Sequence, residues 1–505
     1  MSQKKKGILL SYFNLIIGLV ANVYLTPIMI VSLGDIDYSL YKVMHSLAGP
    51  LAIFHLGLST VVAREIVKNK ELGDEGKIKR QNTLALSLFA SVIMAISVII
   101  VGVVLYFQIP GFYGNTYSEV SVEIGQKIFI MYIISSVFHI MTDVFSGCII
   151  GHERYVISGV LPLGKTLGKS ILQFVFLKCG FGVLFIVAID LIIAFVTFVF
   201  SSSYSIVGLK ELPKLHYFDK KQLFEIISFG VAILMQAFVN QVNNNMDIMI
   251  LGSFIIEKSV ITMYSSALVV YTMYTSLISV ITNYFLPQAT KLIDKEVSGK
   301  ELTDFVIRPG RFQAVIAMAC IGGFALFGQN FIAIWIGEQY MDAYWIILVL
   351  MIPVTVSLVE NAAISILDAA MKRIYRSIVL VIMSCINLIV SIVLVKCFGF
   401  WGAAIGTVVS LIIGNIVLMN IYYAKTFHIE IFRMFKQIFK GILPAGLLTS
   451  LLSLPLATLL PNTRIMFIVK CGVFVAVYIL FLFIVGLNAD EKTMLNKLLR
   501  KLRYR

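Results

Sequence analysis

Long apolar runs, separated by short polar and basic segments, recur along the chain from Ile8 to Gly486. Each has roughly 20 residues or more, the length a helix needs to cross a hydrocarbon core of about 30 Å. About fourteen runs can be delimited: residues 8–33, 39–63, 82–107, 124–150, 155–177, 181–207, 223–254, 260–287, 308–336, 343–370, 374–395, 400–424, 438–460 and 465–487. The pattern predicts an all-α integral membrane protein. The longest outer loop, Gln108 to Glu123, is too short for a folded domain, so any function must reside in the bundle. Lys4, Lys5 and Lys6 precede a first run that is too long for a signal-peptide core and lacks a small-residue cleavage site, so it is read as retained.

Composition agrees with this pattern. Of 505 residues, 59% are hydrophobic and only 13% charged, and the mean hydropathy is +0.93. The formal charge of +14 would suggest nucleic acid were it not distributed by membrane side. Even-numbered connections and the termini hold Lys68, Lys70, Lys77, Lys79, Arg80, Lys210, Lys214, Lys220, Lys221, Lys372, Arg373, Arg376, Arg500 and Lys501, among others. Odd-numbered connections hold chiefly Lys42, Lys178, Lys258, Lys396 and Arg464. The positive-inside rule then places both termini in the cytoplasm. Six cysteines, spread singly without a His partner at ligand spacing, indicate neither a zinc site nor a disulfide framework.

Sliding the chain by 218 residues aligns Asn22 with Asn240, Leu33-Gly34 with Leu251-Gly252, Arg154 with Lys372 and Lys178-Cys179 with Lys396-Cys397. Six spans per repeat is an even number, which gives two lobes of the same orientation, the parallel-repeat arrangement of transporters. The expected organisation is an N-lobe over residues 1–208, a basic interlobe linker over 209–222, a C-lobe over 223–424, two extra helices over 425–487 and a basic tail over 488–505. Such symmetry typically places a substrate route between lobes.

Polar positions within the runs are candidates for that route. Gln236, Asn240, Asn243, Asn244 and Asp247 share one helical face of span seven. Such a row cannot face lipid and must meet another helix or water. Span one has a sparser stripe with Asn14 and Asn22, and span eight one ending at Asn283. Taken singly these two are explained by packing; with span seven they point to a hydrated cavity. Ionisable groups at membrane depth are rarer. Span five carries Lys165 and Lys169 one turn apart, span four His139 and Asp143, and span ten Glu360. Lys165 and Asp143 either form a buried pair that fixes packing or make a cationic spot for an anionic head group with Asp143 as proton or cation partner. Lone His45 and His55 on span two are read as hydrogen-bonded within the bundle.

The stretch LGDIDYSLYKVMHSLAGPLAIFHLGLSTVVAREI, the amide-rich NQVNNNMDIMILGSF followed by YSSA, and the six-plus-six-plus-two layout resemble the polysaccharide, or lipid-linked oligosaccharide, flippases. These belong to the multidrug, oligosaccharidyl-lipid and polysaccharide exporter superfamily. The resemblance covers essentially the whole chain. It implies a multi-pass protein of the bacterial inner membrane, not an enzyme, that moves undecaprenyl-diphosphate-linked sugar repeats to the outer leaflet for capsule, O-antigen or exopolysaccharide assembly. It also implies a cavity near spans one, two, seven and eight, and a polyprenyl groove on the last two helices.

Partners would be membrane lipid, the lipid-linked oligosaccharide, and a polymerase and glycosyltransferases, with no nucleic acid. Some relatives line the first helix with arginines for the diphosphate. Span one here offers only Asn14 and Asn22, so Lys165, Lys169 and Lys42 become the diphosphate candidates. No cofactor is expected; coupling to Na+ or H+ would fall to Asp143, Asp247 and Glu360. A cation-coupled multidrug exporter of the same superfamily is the alternative, and a membrane-embedded glycosyl polymerase fits the short outer loops poorly.

Overall fold

The computed structural model describes residues 3–51, 58–70, 72–218, 220, 245–279, 285–370, 372–488 and 491–493. Among them the chain is helical throughout: α1 Gln3–Ala48, α2 Leu58–Lys68, α3 Gly73–Tyr113, α4 Glu119–Gly151, α5 Tyr155–Lys178, α6 Val183–Ser203, α7 over 245–254 and α8 Lys258–Ser279. There follow α9 Leu286–Asp294, α10 Gly299–Trp335, α11 Ala343–Val359, α12 Asn361–Ala369, α13 Arg373–Phe398, α14 Phe400–Ser410, α15 Met419–Phe427, α16 Ile431–Phe439, α17 Ile442–Leu459 and α18 Arg464–Phe481. Among the described residues, eleven helices are long and apolar enough to cross a membrane, or twelve if the bent pair α11–α12 is one span.

Run one and the start of run two, as far as Ala48, both lie on α1. Gly34 breaks α1 with φ 71°, a value open to glycine at no steric cost. Of run seven, only the last ten residues are described. Helix starts follow local chemistry: Ser118, Ser298 and Thr463 accept the backbone N–H groups of Ser121, Glu301 and Met466, satisfying one otherwise orphaned donor each.

The chain divides into two compact units, Met1–Ser265 and Ser266–Arg505. In the first, α1 packs along α5, while α4 contacts α2, α3 and α6. The linker segment from Leu209 to Tyr217 is fastened to this unit rather than free. Arg80 Nε donates to Glu211 Oε1 at 2.7 Å, and His152 Nε2 lies 3.2 Å from the same oxygen. The amides of His216 and Tyr217 both donate to Asn82 Oδ1, at 3.0 and 3.2 Å.

Burial raises the Glu211 carboxyl pKa, but hydrogen bonds from His152 and Arg80 outweigh it and hold the group below its ordinary value. Because the folded value is depressed, the contribution to stability is present above the unfolded value and is lost as pH falls through the folded one. Glu211→Ala should therefore speed amide exchange over 210–217 by roughly tenfold to a hundredfold at neutral pH, the equivalent of one charge-assisted hydrogen bond network. Exchange mass spectrometry reads it directly; unchanged protection would dismiss the strap.

In the second unit the core gathers Val306, Ala314, Val359, Ile366, Met434, Ile438 and Ile442 from α10, α11, α12, α16 and α17. Helices α13 and α14 form an antiparallel hairpin around Gly399, at φ 58°. A Cβ on Gly402 would collide with the Leu394 carbonyl carbon, which is backbone and cannot rotate away. Gly402→Val is expected to lose about 1–3 kcal/mol through overpacking, checked as a drop in thermal-unfolding midpoint.

Candidate functional site

Helices α1, α4, α5 and α6 enclose two adjoining polar cavities, both within the first unit. One, of about 240 Å3, is bordered by His45, Tyr132, Ser135, His139, Lys165, Lys169 and Asp190, among others. The second, of about 300 Å3, runs from His139 and Lys165 past Thr142, Asp143 and Ser146 to Ser158 and Thr197. His139 and Lys165 line both. Positions 132, 135, 136, 139, 142, 143 and 146 of α4 line the two cavities at helical spacing, which is why a single helix supplies most of the polar wall.

The charges within this chamber are arranged in two sets. Lys169 Nζ lies 2.8 Å from Asp190 Oδ1 and 3.0 Å from Oδ2, so this ammonium is matched by a carboxylate across α5 and α6. Lys165 Nζ instead stands 3.4 Å from His139 Nδ1 and 3.2 Å from Nε2, with Asp143 lining the same cavity one turn along α4. The sequence suggested Lys165 with Asp143; the structure brings both to one cavity wall and adds the His139 imidazole beside the ammonium. Asp190 was not singled out from the sequence, although a lone acid in the run FIVAIDLIIAF carries the same signal as Lys165. His45, read from sequence as a packing histidine, borders the first cavity and sets its ring edge-on to Tyr132, centroids 5.7 Å apart.

Other candidates stand elsewhere. Asn14 is half-buried on α1, its Oδ1 buried without a hydrogen-bond partner, and Asn22 on the same helix is exposed. Lys42 lies over the Tyr38 and Tyr41 rings, 5.3 and 5.7 Å from their centroids, which gives the ammonium a cation–π seat rather than a place in the chamber. Asp247 is buried and its Oδ2 accepts from Tyr264 Oη at 2.6 Å, tying α7 to α8. Glu360 is buried at the 42° break between α11 and α12. Its Oε2 has no hydrogen-bond partner. Gln236, Asn240, Asn243, Asn244 and Asn283 lie outside the described residues.

The second unit contains a cavity of opposite character. About 290 Å3 in volume, it is walled by Met273, Leu277, Phe324, Phe327, Phe467 and Phe474, among others, from α8, α10 and α18. Tyr274, Cys320 and Cys471 are the lining side chains that carry a hydroxyl or thiol. Lys470, fully buried on α18, turns away from it and donates to Leu460 O and Asn462 Oδ1 at 2.9 and 3.0 Å, closing the turn between α17 and α18.

Comparison with known proteins follows the same lines. Residues 162–345 match the model of a polysaccharide biosynthesis protein family. A search of curated protein sequences finds no significant match. The structure is similar to the lipid II flippase MurJ in an inward closed conformation, with a TM-score of 0.71 and 17% identity over 94% of this chain and 97% of that one. It is also similar to a multidrug resistance MATE family transporter of the MOP superfamily in an inward-facing conformation, at TM-score 0.61 and 13% identity, over 82% of this chain and 96% of that one. An outward-facing MATE structure aligns at TM-score 0.54 and 14% identity, over 85% and 96%. The fold that the sequence resemblance implied is borne out: the chain has the multi-pass helical fold of these structures, and residues 162–345 match the polysaccharide biosynthesis family.

Proposed function

We propose that this protein flips an undecaprenyl-diphosphate-linked oligosaccharide repeat from the cytoplasmic to the outer leaflet of the bacterial inner membrane. The carrying observation is the conjunction of a polysaccharide biosynthesis match with a lipid-flippase likeness that extends over 94% of the chain. MATE transporters account for less of it, 82 and 85%, as expected if this chain has helices beyond a drug exporter's set.

In this reading, sugar hydroxyls meet the amides and hydroxyls of the bundle, and the diphosphate meets Lys165 in the chamber of α1, α4, α5 and α6. Lys169 is a weaker diphosphate ligand because Asp190 already neutralises it. The polyprenyl tail stays in an apolar environment, for which the cavity beside Phe467 and Phe474 on α18 is suited. Alternating access exposes the polar route to each side in turn.

Asp143, Asp247 and Glu360 are the residues proposed to couple transport to Na+ or H+, and purified protein that still translocated its lipid after both gradients were collapsed would remove that role. The MATE likeness keeps cation-coupled drug export as the competing reading.

The deciding experiment is mass spectrometry of lipid-linked oligosaccharides in cells lacking the protein, with leaflet sidedness read by a non-permeant glycosidase. Accumulation of a diphosphate-linked repeat on the cytoplasmic side, relieved by re-expression, is expected. An unchanged lipid pool with intact surface polysaccharide would shift the assignment to small-molecule export.

A further inference from the structure

With its groups in their ordinary ionisation states, the chamber of α1, α4, α5 and α6 is balanced in charge, and that balance constrains what can enter it. Facing the two cavities are His45 from α1, Tyr132, His139 and Asp143 from α4, Lys165 and Lys169 from α5, and Asp190 from α6. Lys42, on α1, holds its ammonium over tyrosine rings and is not among the lining residues. With both lysines protonated, both acids ionised and the histidines neutral, the sum is zero. A phosphate or diphosphate group entering such a space adds charge with nothing to compensate it, at membrane depth where an uncompensated charge is most costly.

The contact between Lys165 and His139 offers the compensation. At 3.2 and 3.4 Å from the two ring nitrogens, the ammonium sits where a second positive charge on the ring would repel it. Before an anion binds, the pair therefore carries one positive charge, held by the lysine as the stronger base beside a neutral imidazole. A phosphate oxygen that draws Lys165 away from the ring removes the repulsion and places an anion beside it, and the imidazole can then take a proton and donate to the same anion. Lys169 cannot play this part, because Asp190 holds it at 2.8 Å.

We propose that anion binding in this chamber is linked to uptake of a proton on His139, so that the phosphate and the proton enter together. The proposal rests on the flippase reading for the choice of phosphate as ligand, and concerns binding rather than translocation. The proton comes from bulk water, and no covalent bond in the ligand changes. Imidazole is suited to the role because its ordinary pKa of about 6.5 lets a nearby anion move it across neutral pH.

The test is isothermal titration of the purified full chain in lipid nanodiscs with inorganic pyrophosphate, in buffers of differing ionisation enthalpy, at pH 6.5 and pH 8. A second arm uses nanodiscs carrying undecaprenyl diphosphate, which separates a free anion from the same group on a lipid. About one proton should be taken up per anion at pH 8, with affinity falling up to tenfold per pH unit above the histidine range. His139→Gln should abolish the uptake and leave the weak, high-pH affinity at both values. Lys165→Gln should weaken binding at both.

Uptake with the lipid form alone would still support the proposal and assign the headgroup to its lipid. Binding of either probe without proton exchange, or binding of neither, would overturn it. The proton count, corrected for the probe's own ionisation, reports uptake without any variant, and its loss in His139→Gln assigns the proton to the ring. The sidedness assay judges the flippase reading separately.

Discussion

Replacing Arg311 by methionine is expected to be the most destabilising single change in the second unit, at about 3–5 kcal/mol. The guanidinium lies on α10 at 3% exposure and is used along its whole edge. Nε and Nη2 grip the two Glu491 oxygens at 2.7 and 3.0 Å, Nη1 donates to the carbonyls of Gln437 and Lys440 at 2.8 and 2.9 Å, and Nη2 also reaches Gly486 O at 2.8 Å. Those carbonyls belong to the end of α16 and to the turn after α18, so one side chain ties three parts of the chain to α10. Methionine preserves apolar contact but orphans the carbonyls and the carboxylate together.

Lysine at 311 should recover only part of the loss, because a point charge with three donors cannot reproduce the planar fork. Glu491 lies beyond the last span. Its burial raises the carboxyl pKa, while the hydrogen bonds from Arg311 and the Asn488 amide pull it further down, below the ordinary 4.5. Its contribution is therefore complete above the unfolded value and disappears as pH falls through the lower folded one. Thermal unfolding in detergent, measured for Arg311→Met, Arg311→Lys and wild type at pH 7 and again near pH 4, checks both statements. Equal midpoints at pH 7 would refute the anchor.

Arg311 also shows where sequence reading stops. At the head of an apolar run it looks like an interfacial charge, and nothing in RPGRFQAV announces that carbonyls more than a hundred residues later converge on it. The spans themselves were legible because hydrophobic length is a one-dimensional property. So was the unusual depth of Lys165, His139 and Asp143, which the structure gathers on the walls of one chamber. Pairing was not legible: one helical turn separates Lys165 from Lys169, yet their partners, His139 and Asp190, come from different helices, and only packing decides which. The segment over 209–217 carries a related lesson. Its basic composition reads as a linker, but Glu211, the one acid there, fastens it to Arg80 and His152.

The second large effect concerns Lys169 and Asp190, whose roles can be separated from that of Lys165 by a double-mutant cycle. Either Lys169→Leu or Asp190→Leu alone strands a charge within the membrane, for which insertion scales give about 2.5–3.5 kcal/mol, and each single variant should express poorly and unfold early. The double variant removes both charges and should regain most of the lost stability, since an apolar pair of similar volume often replaces a buried ion pair without penalty. The difference between the double and the sum of the singles is then the coupling across α5 and α6.

Transport by the double variant carries the functional information. If the protein flips the proposed lipid-linked repeat, a pair already neutral in itself braces the chamber without reading the substrate, and accumulation of that repeat on the outer leaflet should stay within about threefold of wild type. Lys165→Gln, folded normally, should drop it by about tenfold or more, the cost of one charge-assisted hydrogen bond to phosphate. A stable double variant that no longer transports would reverse the assignment, making Lys169 the substrate's cation and Asp190 the residue that must release it before the diphosphate can bind.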